Sequence, residues 1–168
     1  MKQKIYNHLE IIIILITIAI SFLCSWLISQ QISDSDIIIK TNQNYTALDI
    51  FLNNSEAALC ILSGIVTLGL LSFIIMFLNL MNIGVYFLYT LKATTLWKAL
   101  YLTIFHGTIE LLGLFLVYYV VLNLSKIIFI TRTVKIDKNI LIKNIKFIVF
   151  AVFCLLIAAV IEVLIING

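Results

Sequence analysis

The residues in this sequence best suited to carry chemistry are His106 and Glu110, which stand four positions apart. On a helix, this spacing places both side chains on one face. An ionisable residue within a strongly apolar stretch is costly to bury and marks a candidate functional site. Lys92, on the preceding apolar stretch, is expected at a similar depth. We therefore predict a buried polar cluster of Lys92, His106 and Glu110.

Three interpretations of this cluster differ in the chemistry they require. We favour a structural lock between helices, in which Glu110 accepts hydrogen bonds from His106 or Lys92 and fixes the packing. A proton or ion relay is the second, because histidine titrates near neutrality. A metal site is the third and weakest, because HxxxE lacks the catalytic glutamate of HExxH and no further pair of metal ligands accompanies it. We predict no bound metal and no other cofactor.

Motifs of hydrolysis and nucleotide binding do not occur in the sequence. There is no GxSxG, no SxxK and no glycine-rich phosphate loop, and these motifs position the nucleophile or the phosphates in several large enzyme classes. We therefore predict that the chain is not an enzyme, and that any ATP used in its pathway is hydrolysed by a partner.

Membrane helices are the elements that must position these residues. The chain has 168 residues, of which 63% are hydrophobic and 11% charged, whereas soluble domains carry about 25% charged residues. Because one span needs about 20 apolar residues, the sequence predicts a single all-α transmembrane domain, residues 1–168, with four or five spans. The net charge of +3 comes from basic residues placed as a membrane topology requires, so nucleic acid is not an expected partner.

Apolar runs separated by polar stretches define the first part of this topology. The run at residues 11–28 is not followed by a small-residue cleavage site, so we predict a retained first span and not a secretory signal. A polar, acidic loop at residues 30–49 follows. The second span is predicted to begin near Asn53 and Asn54, which are candidate N-caps.

Glycines interrupt the second predicted span, which continues to about residue 78. Gly64 and Gly69 offer small surfaces for close helix packing. Residues 79–84, which include Asn79 and Gly84, are predicted to form a tight reversal of the chain.

The stretch at residues 83–98 is the weakest candidate span, because a helix of that length covers only about 22 Å of a bilayer core about 30 Å thick. The fourth and fifth spans are predicted at residues 99–124 and 147–166, with a basic loop between them. If residues 83–98 cross, Lys2, Lys4 and this loop share the cytoplasmic side. The positive-inside rule therefore predicts five spans, an N-terminus in the cytoplasm and a C-terminus outside.

An ordered set of positions resembles the signature of the stage II sporulation protein M (SpoIIM) family, in which an asparagine-headed helix precedes a His-Gly-x-x-Glu-Leu segment. The matching positions are Asn53, Asn54, Gly64, Gly69, Asn79, Gly84, His106, Gly107 and Glu110. They form a SpoIIM-like core at about residues 50–125. Phe105 stands where the family has proline, and Leu112-Gly113 replaces Pro-Ala. The chain therefore resembles a short, divergent member.

The resemblance implies a bacterial cell-membrane protein of five spans without catalysis of its own. In spore formers, the family's namesake works during engulfment in a complex with peptidoglycan-degrading proteins. Other members resemble accessory proteins for the maturation, export or immunity of circular bacteriocins, beside an ABC-type ATPase.

Three functions are therefore expected: a scaffold for envelope proteins, a bacteriocin accessory protein, or a proton- or ion-coupled permease that uses His106 and Glu110. The expected partners are the lipid bilayer, other membrane or envelope proteins and, in a homo-oligomer, further copies of the chain.

Overall fold

The computed structural model describes residues 9–31, 46–131 and 137–167, apart from the side chains at 102, 104–106, 130, 131, 166 and 167. The described ranges form five α-helices and contain no strand. The helices are α1 (Leu9–Gln31), α2 (Ala47–Ser63), α3 (Leu70–Ala93), α4 (Leu96–Thr131) and α5 (Lys138–Asn167), with a 3₁₀ turn at Gly64–Thr67. All five α-helices, α2 together with its 3₁₀ turn, include a segment long and apolar enough to cross a membrane. The predicted all-α bundle with five spans is confirmed.

Helix α2 begins earlier than predicted, because a capping box fixes its first turn. The backbone amide of Thr46 donates to the Asp49 carboxylate (2.9 Å), and the amide of Asp49 donates to Oγ1 of Thr46 (3.2 Å). These bonds satisfy amides that a helix N-terminus otherwise leaves unpaired. The prediction that Asn53 and Asn54 cap the helix is therefore wrong. Both residues lie within α2, where Asn54 is buried and Asn53 is exposed.

The predicted reversal at residues 79–84 is also wrong. The chain reverses at Leu68 and Gly69, whose φ angles of 53° and 92° are left-handed, and glycine adopts this conformation at little cost. Asn79 remains within α3, where its amide donates to the carbonyl oxygen of Ile75 (2.9 Å). Because that bond satisfies the polar side chain within its own helix, Asn79 does not interrupt α3.

The weak third span gains its length from residues that the sequence analysis assigned to the second. Helix α3 has 24 residues, about 36 Å at the rise of an α-helix, and therefore exceeds the hydrocarbon core of about 30 Å. A turn at Thr94 and Thr95 separates α3 from α4. The crossing predicted from charge asymmetry is therefore present, but over Leu70–Ala93 and not over residues 83–98.

Helix α4 is central to the packing, and it contacts α1, α2, α3 and α5. Side chains from α2, α3, α4 and α5 form the buried apolar core. Its members are Ile61, Met76, Leu80, Leu114, Val117, Tyr118, Val121, Leu122, Ala151 and Leu155. Because lipid is as apolar as these side chains, close packing and polar contacts must supply much of the association between the helices.

Candidate functional site: polar contacts between the helices

A stripe of hydroxyl side chains runs along α1 at intervals of four residues. Thr17, Ser21, Ser25 and Ser29 are at most 1% exposed. Each hydroxyl donates to a carbonyl oxygen of the preceding turn of α1, at 2.7 to 2.8 Å. These bonds satisfy the hydroxyl protons within the helix, as is usual for serine and threonine in apolar surroundings. The result is a smooth, small-residue surface along which another helix can approach closely.

Helix α3 packs against this stripe with direct backbone contact. The single hydroxyl proton of Ser25 is shared between the carbonyl oxygen of Ser21 and that of Met81 on α3 (2.9 Å). The proton of Ser21 is shared in the same way between the carbonyl oxygens of Thr17 and Phe77 (3.3 Å to Phe77). A Cβ atom added to Gly84 would lie 2.4 Å from Oγ and 2.8 Å from Cβ of Ser25. Gly84 therefore permits the close approach of α1 and α3.

Helix α1 also contacts α4 through two polar pairs. Oγ1 of Thr17 lies 3.3 Å from the hydroxyl oxygen of Tyr118, which is fully buried. Nearer the start of α1, Glu10 forms an ion pair with Lys126. Glu10 is 4% exposed and lies in the first turn of α1, where the helix dipole favours a carboxylate. These pairs join the first span to the central helix at two depths.

The Glu10–Lys126 pair was not predicted from the sequence. The sequence contained enough information to predict this pair, because the predicted topology places the start of the first span and the end of the fourth on the same side of the membrane. Two opposite charges at corresponding depths in an antiparallel helix pair are natural partners.

Helices α4 and α5 are joined by an amide pair and by a close approach. Nδ2 of Asn123 donates to Oδ1 of Asn144 (3.2 Å), and Asn144 is only 2% exposed. A Cβ atom added to Gly113 would lie 2.9 Å from Cδ2 of Leu155 and 3.1 Å from the carbonyl oxygen of Ala151, so α4 and α5 approach closely at this glycine. In the described part of the chain, Nδ2 of Asn144 has no hydrogen-bond partner.

The members of the predicted cluster lie on two helices. Lys92, near the end of α3, donates from Nζ to the carbonyl oxygen of Ser29 (2.6 Å). Among the described side chains, the ion pair observed is Glu10–Lys126, and none joins Lys92 to Glu110. Glu110 is half-buried on α4, within the membrane-spanning segment Gly107–Phe129.

The side chain of His106 lies outside the described atoms, so its contact with Glu110 stays a prediction. Gly107 is buried on α4, and a Cβ atom added there would meet nothing within 4 Å. Among the described residues, no group of three or more His, Cys, Asp or Glu side chains could hold a metal ion.

A comparison with protein families adds evidence independent of this geometry. The family described as Stage II sporulation protein M has a sequence model that matches residues 10–165, most of the chain. The match begins in the first turn of α1 and ends near the end of α5, so it includes all five helices. No curated protein and no solved structure matches the chain.

Proposed function

The chain belongs to the stage II sporulation protein M family, and on that basis we propose that it is a non-enzymatic membrane scaffold that assembles with other envelope proteins. Its five apolar helices make it a multi-pass membrane protein. The proposed location is the bacterial cell membrane, with the N-terminus in the cytoplasm and the C-terminus outside, because this orientation places most of the basic residues inside.

The observation that carries the proposal is that polar side chains within the bundle contact its own helices. Ser21 and Ser25 bind the backbone of α3, Lys92 binds the backbone of α1, and Glu10 pairs with Lys126 of α4. Groups engaged in this way fix the positions of the helices. A fixed arrangement of helices is what a scaffold must present to its partners.

The short connections favour partners that bind within the plane of the membrane. Two residues separate the 3₁₀ turn after α2 from α3, and two residues separate α3 from α4. Loops of this size offer little surface outside the bilayer. The lateral faces of the helices are broad and apolar, with exposed side chains such as Phe22, Trp26, Leu59 and Phe153. We propose that a peptidoglycan-remodelling complex of the engulfment type binds these faces in a spore-forming host.

Affinity purification from the native membrane in a mild detergent tests this proposal, with mass spectrometry identifying the copurifying proteins. Recovery of peptidoglycan hydrolases or their membrane anchors supports the scaffold. Recovery of an ABC-type ATPase or a small cationic peptide in their place contradicts it and supports a role in bacteriocin maturation, export or immunity.

One observation favours a second function, a proton- or ion-coupled permease. Glu110 lies half-buried within the membrane-spanning segment Gly107–Phe129 of α4, and an ionisable group in such a segment commonly marks a proton or ion pathway. A permease requires the ionisable group itself, whereas a scaffold requires only its packing. The substitution Glu110→Gln therefore separates the two functions.

A further inference from the structure

A polar stripe runs along the face of α2 that points away from the bundle. Its members are Asp49, Asn53, Glu56, Cys60 and Ser63, and all of them are exposed. The intervals between them alternate between four and three residues, which is the spacing of the a and d positions of a heptad repeat. Inward-facing positions of the same helix, such as Ile50 and Ile61, are buried in the bundle.

The position of Glu56 makes this stripe costly if lipid covers it. The membrane-spanning segment that includes α2 is Ala47–Thr67, and Glu56 lies about 13 Å along the helix axis from Ala47 and about 16 Å from Thr67. Glu56 is therefore near the middle of the span. A carboxyl group at that depth is rarely in contact with lipid and almost always faces protein or water.

The side chains in the stripe differ in whether their polar groups have hydrogen-bond partners. Ser63 donates to the carbonyl oxygen of Cys60 (2.7 Å), so its hydroxyl group is bonded within α2. Asn53 and Glu56 have no hydrogen-bond or ion-pair partner among the described residues. An amide and a carboxyl group in the membrane without a partner point to a protein contact that a single copy of the chain does not provide.

We infer that α2 is the contact between two copies of this chain, which pack in parallel and in register. Two copies inserted in the same orientation are related by a two-fold axis along the membrane normal, so each residue at an a or d position meets its own counterpart. The asparagine amide both donates and accepts, so Asn53 is complementary to Asn53 of a second copy. The same contact places Glu56 against protein in place of lipid.

The residues beside the stripe fit the same contact. Leu52 and Leu59 are seven residues apart on α2 and are 55% and 65% exposed. They lie at the g positions, next to the a positions of the stripe, where apolar side chains pack along the edge of a helix pair. A single asparagine at an a position is known to specify parallel, in-register dimers, and Asn53 occupies such a position. This inference does not depend on the proposed scaffold function.

Cys60 provides a direct test because it lies at an a position and is exposed, with a free thiol. Cys24→Ser and Cys154→Ala leave it as the single cysteine, and the full chain is oxidised in native membranes with copper phenanthroline. We expect a disulfide-linked species of about twice the 19.1 kDa mass of the chain. In a cysteine-free background, Ser63→Cys should cross-link as well, and Leu59→Cys should cross-link several-fold less, because it lies beside the stripe.

A second variant tests the role of the amide. Asn53→Leu should reduce cross-linking through Cys60 several-fold, whereas Asn53→Gln should largely retain it. The control is Asn82→Leu, at an exposed asparagine on α3, which should have no effect on cross-linking. The inference is overturned if Cys60 forms no adduct, if it links only to a protein of different mass, or if Leu59→Cys cross-links as efficiently as Cys60. The Cys60 experiment leaves the whole stripe native, so it decides the question even if Asn53→Leu does not fold.

Discussion

Glu10 at the start of α1 and Lys126 in the final turns of α4 form an ion pair, with Glu10 only 4% exposed. The pair connects the first span to the central helix of the bundle. Because Glu10 is buried in apolar surroundings, its carboxylate requires a counter-charge, and Lys126 supplies one. The stability of the α1–α4 contact should therefore depend on both charges together.

Removal of one member of the Glu10–Lys126 pair should lower the free energy of unfolding more than removal of both. Glu10→Gln removes the carboxylate that pairs with Lys126, and breaking a buried ion pair in this way typically costs about 3 to 5 kcal/mol. The double substitution Glu10→Gln with Lys126→Met should be closer to the wild-type stability. The measurement is SDS-induced unfolding in mixed micelles, followed by circular dichroism. Lys98→Gln, at an exposed lysine, is the control, and equal effects of Glu10→Gln and Lys98→Gln would contradict the account.

Gly84 should be intolerant of any side chain. In Gly84→Ala the new Cβ would lie 2.4 Å from the Ser25 hydroxyl oxygen, so α1 and α3 must separate, at a cost of about 1 to 3 kcal/mol for overpacking. Ser25→Gly should restore most of that loss, because it removes the opposing atoms. Gly107→Ala is the matched control: nothing lies within 4 Å of its added Cβ, and alanine has the higher helix propensity. Thermal unfolding in detergent would reveal the difference, and equal destabilisation by both alanines would refute the proposed packing role.

The amide pair between α4 and α5 should show a small but measurable coupling. Interhelical hydrogen bonds in membranes average about 0.6 kcal/mol in double-mutant cycles. Asn123→Ala, Asn144→Ala and the double variant should yield a coupling energy of this size and favourable sign. Asn79→Ala, which loses only a bond within α3, should be additive with Asn144→Ala. A coupling of zero between Asn123 and Asn144 would show that their contact does not stabilise the bundle.

The proposed orientation can be tested with single cysteines in a cysteine-free background. Asp36→Cys should react with a membrane-impermeant maleimide added to intact cells, because the first loop is predicted to lie outside. Lys135→Cys should react only after the membrane is permeabilised. The reverse pattern would invert the topology and place the C-terminus in the cytoplasm.

The number of spans could be predicted from the sequence because apolar length and charge asymmetry are properties of whole segments. The position of the chain reversal could not be predicted, because glycine serves two purposes in a membrane helix. Gly69 supplies a left-handed turn, while Gly84 supplies a close approach to Ser25. Both roles favour glycine, and only the relative positions of α1 and α3 distinguish them.

The polar contacts between the helices could not be predicted from the sequence for a related reason. Lys92 stands near Glu110 in the predicted topology, yet its ammonium group reaches the carbonyl oxygen of Ser29. A backbone acceptor of this kind has no signature in the sequence. The stripe on α1 was overlooked because serine and threonine at intervals of four in an apolar run are compatible with any face of the helix until its neighbours are known.

The most direct test of the central claim is a quantitative comparison of the proteins that copurify with the wild-type chain and with Glu110→Gln from native membranes, together with the host phenotype that depends on the chain. Glutamine retains nearly the size and the hydrogen-bonding capacity of glutamate but cannot ionise. If the chain is a scaffold, both forms should recover the same envelope proteins in the same amounts, and the phenotype should be intact. Unchanged recovery with a lost phenotype would contradict the scaffold and show that the chemistry of Glu110 is required.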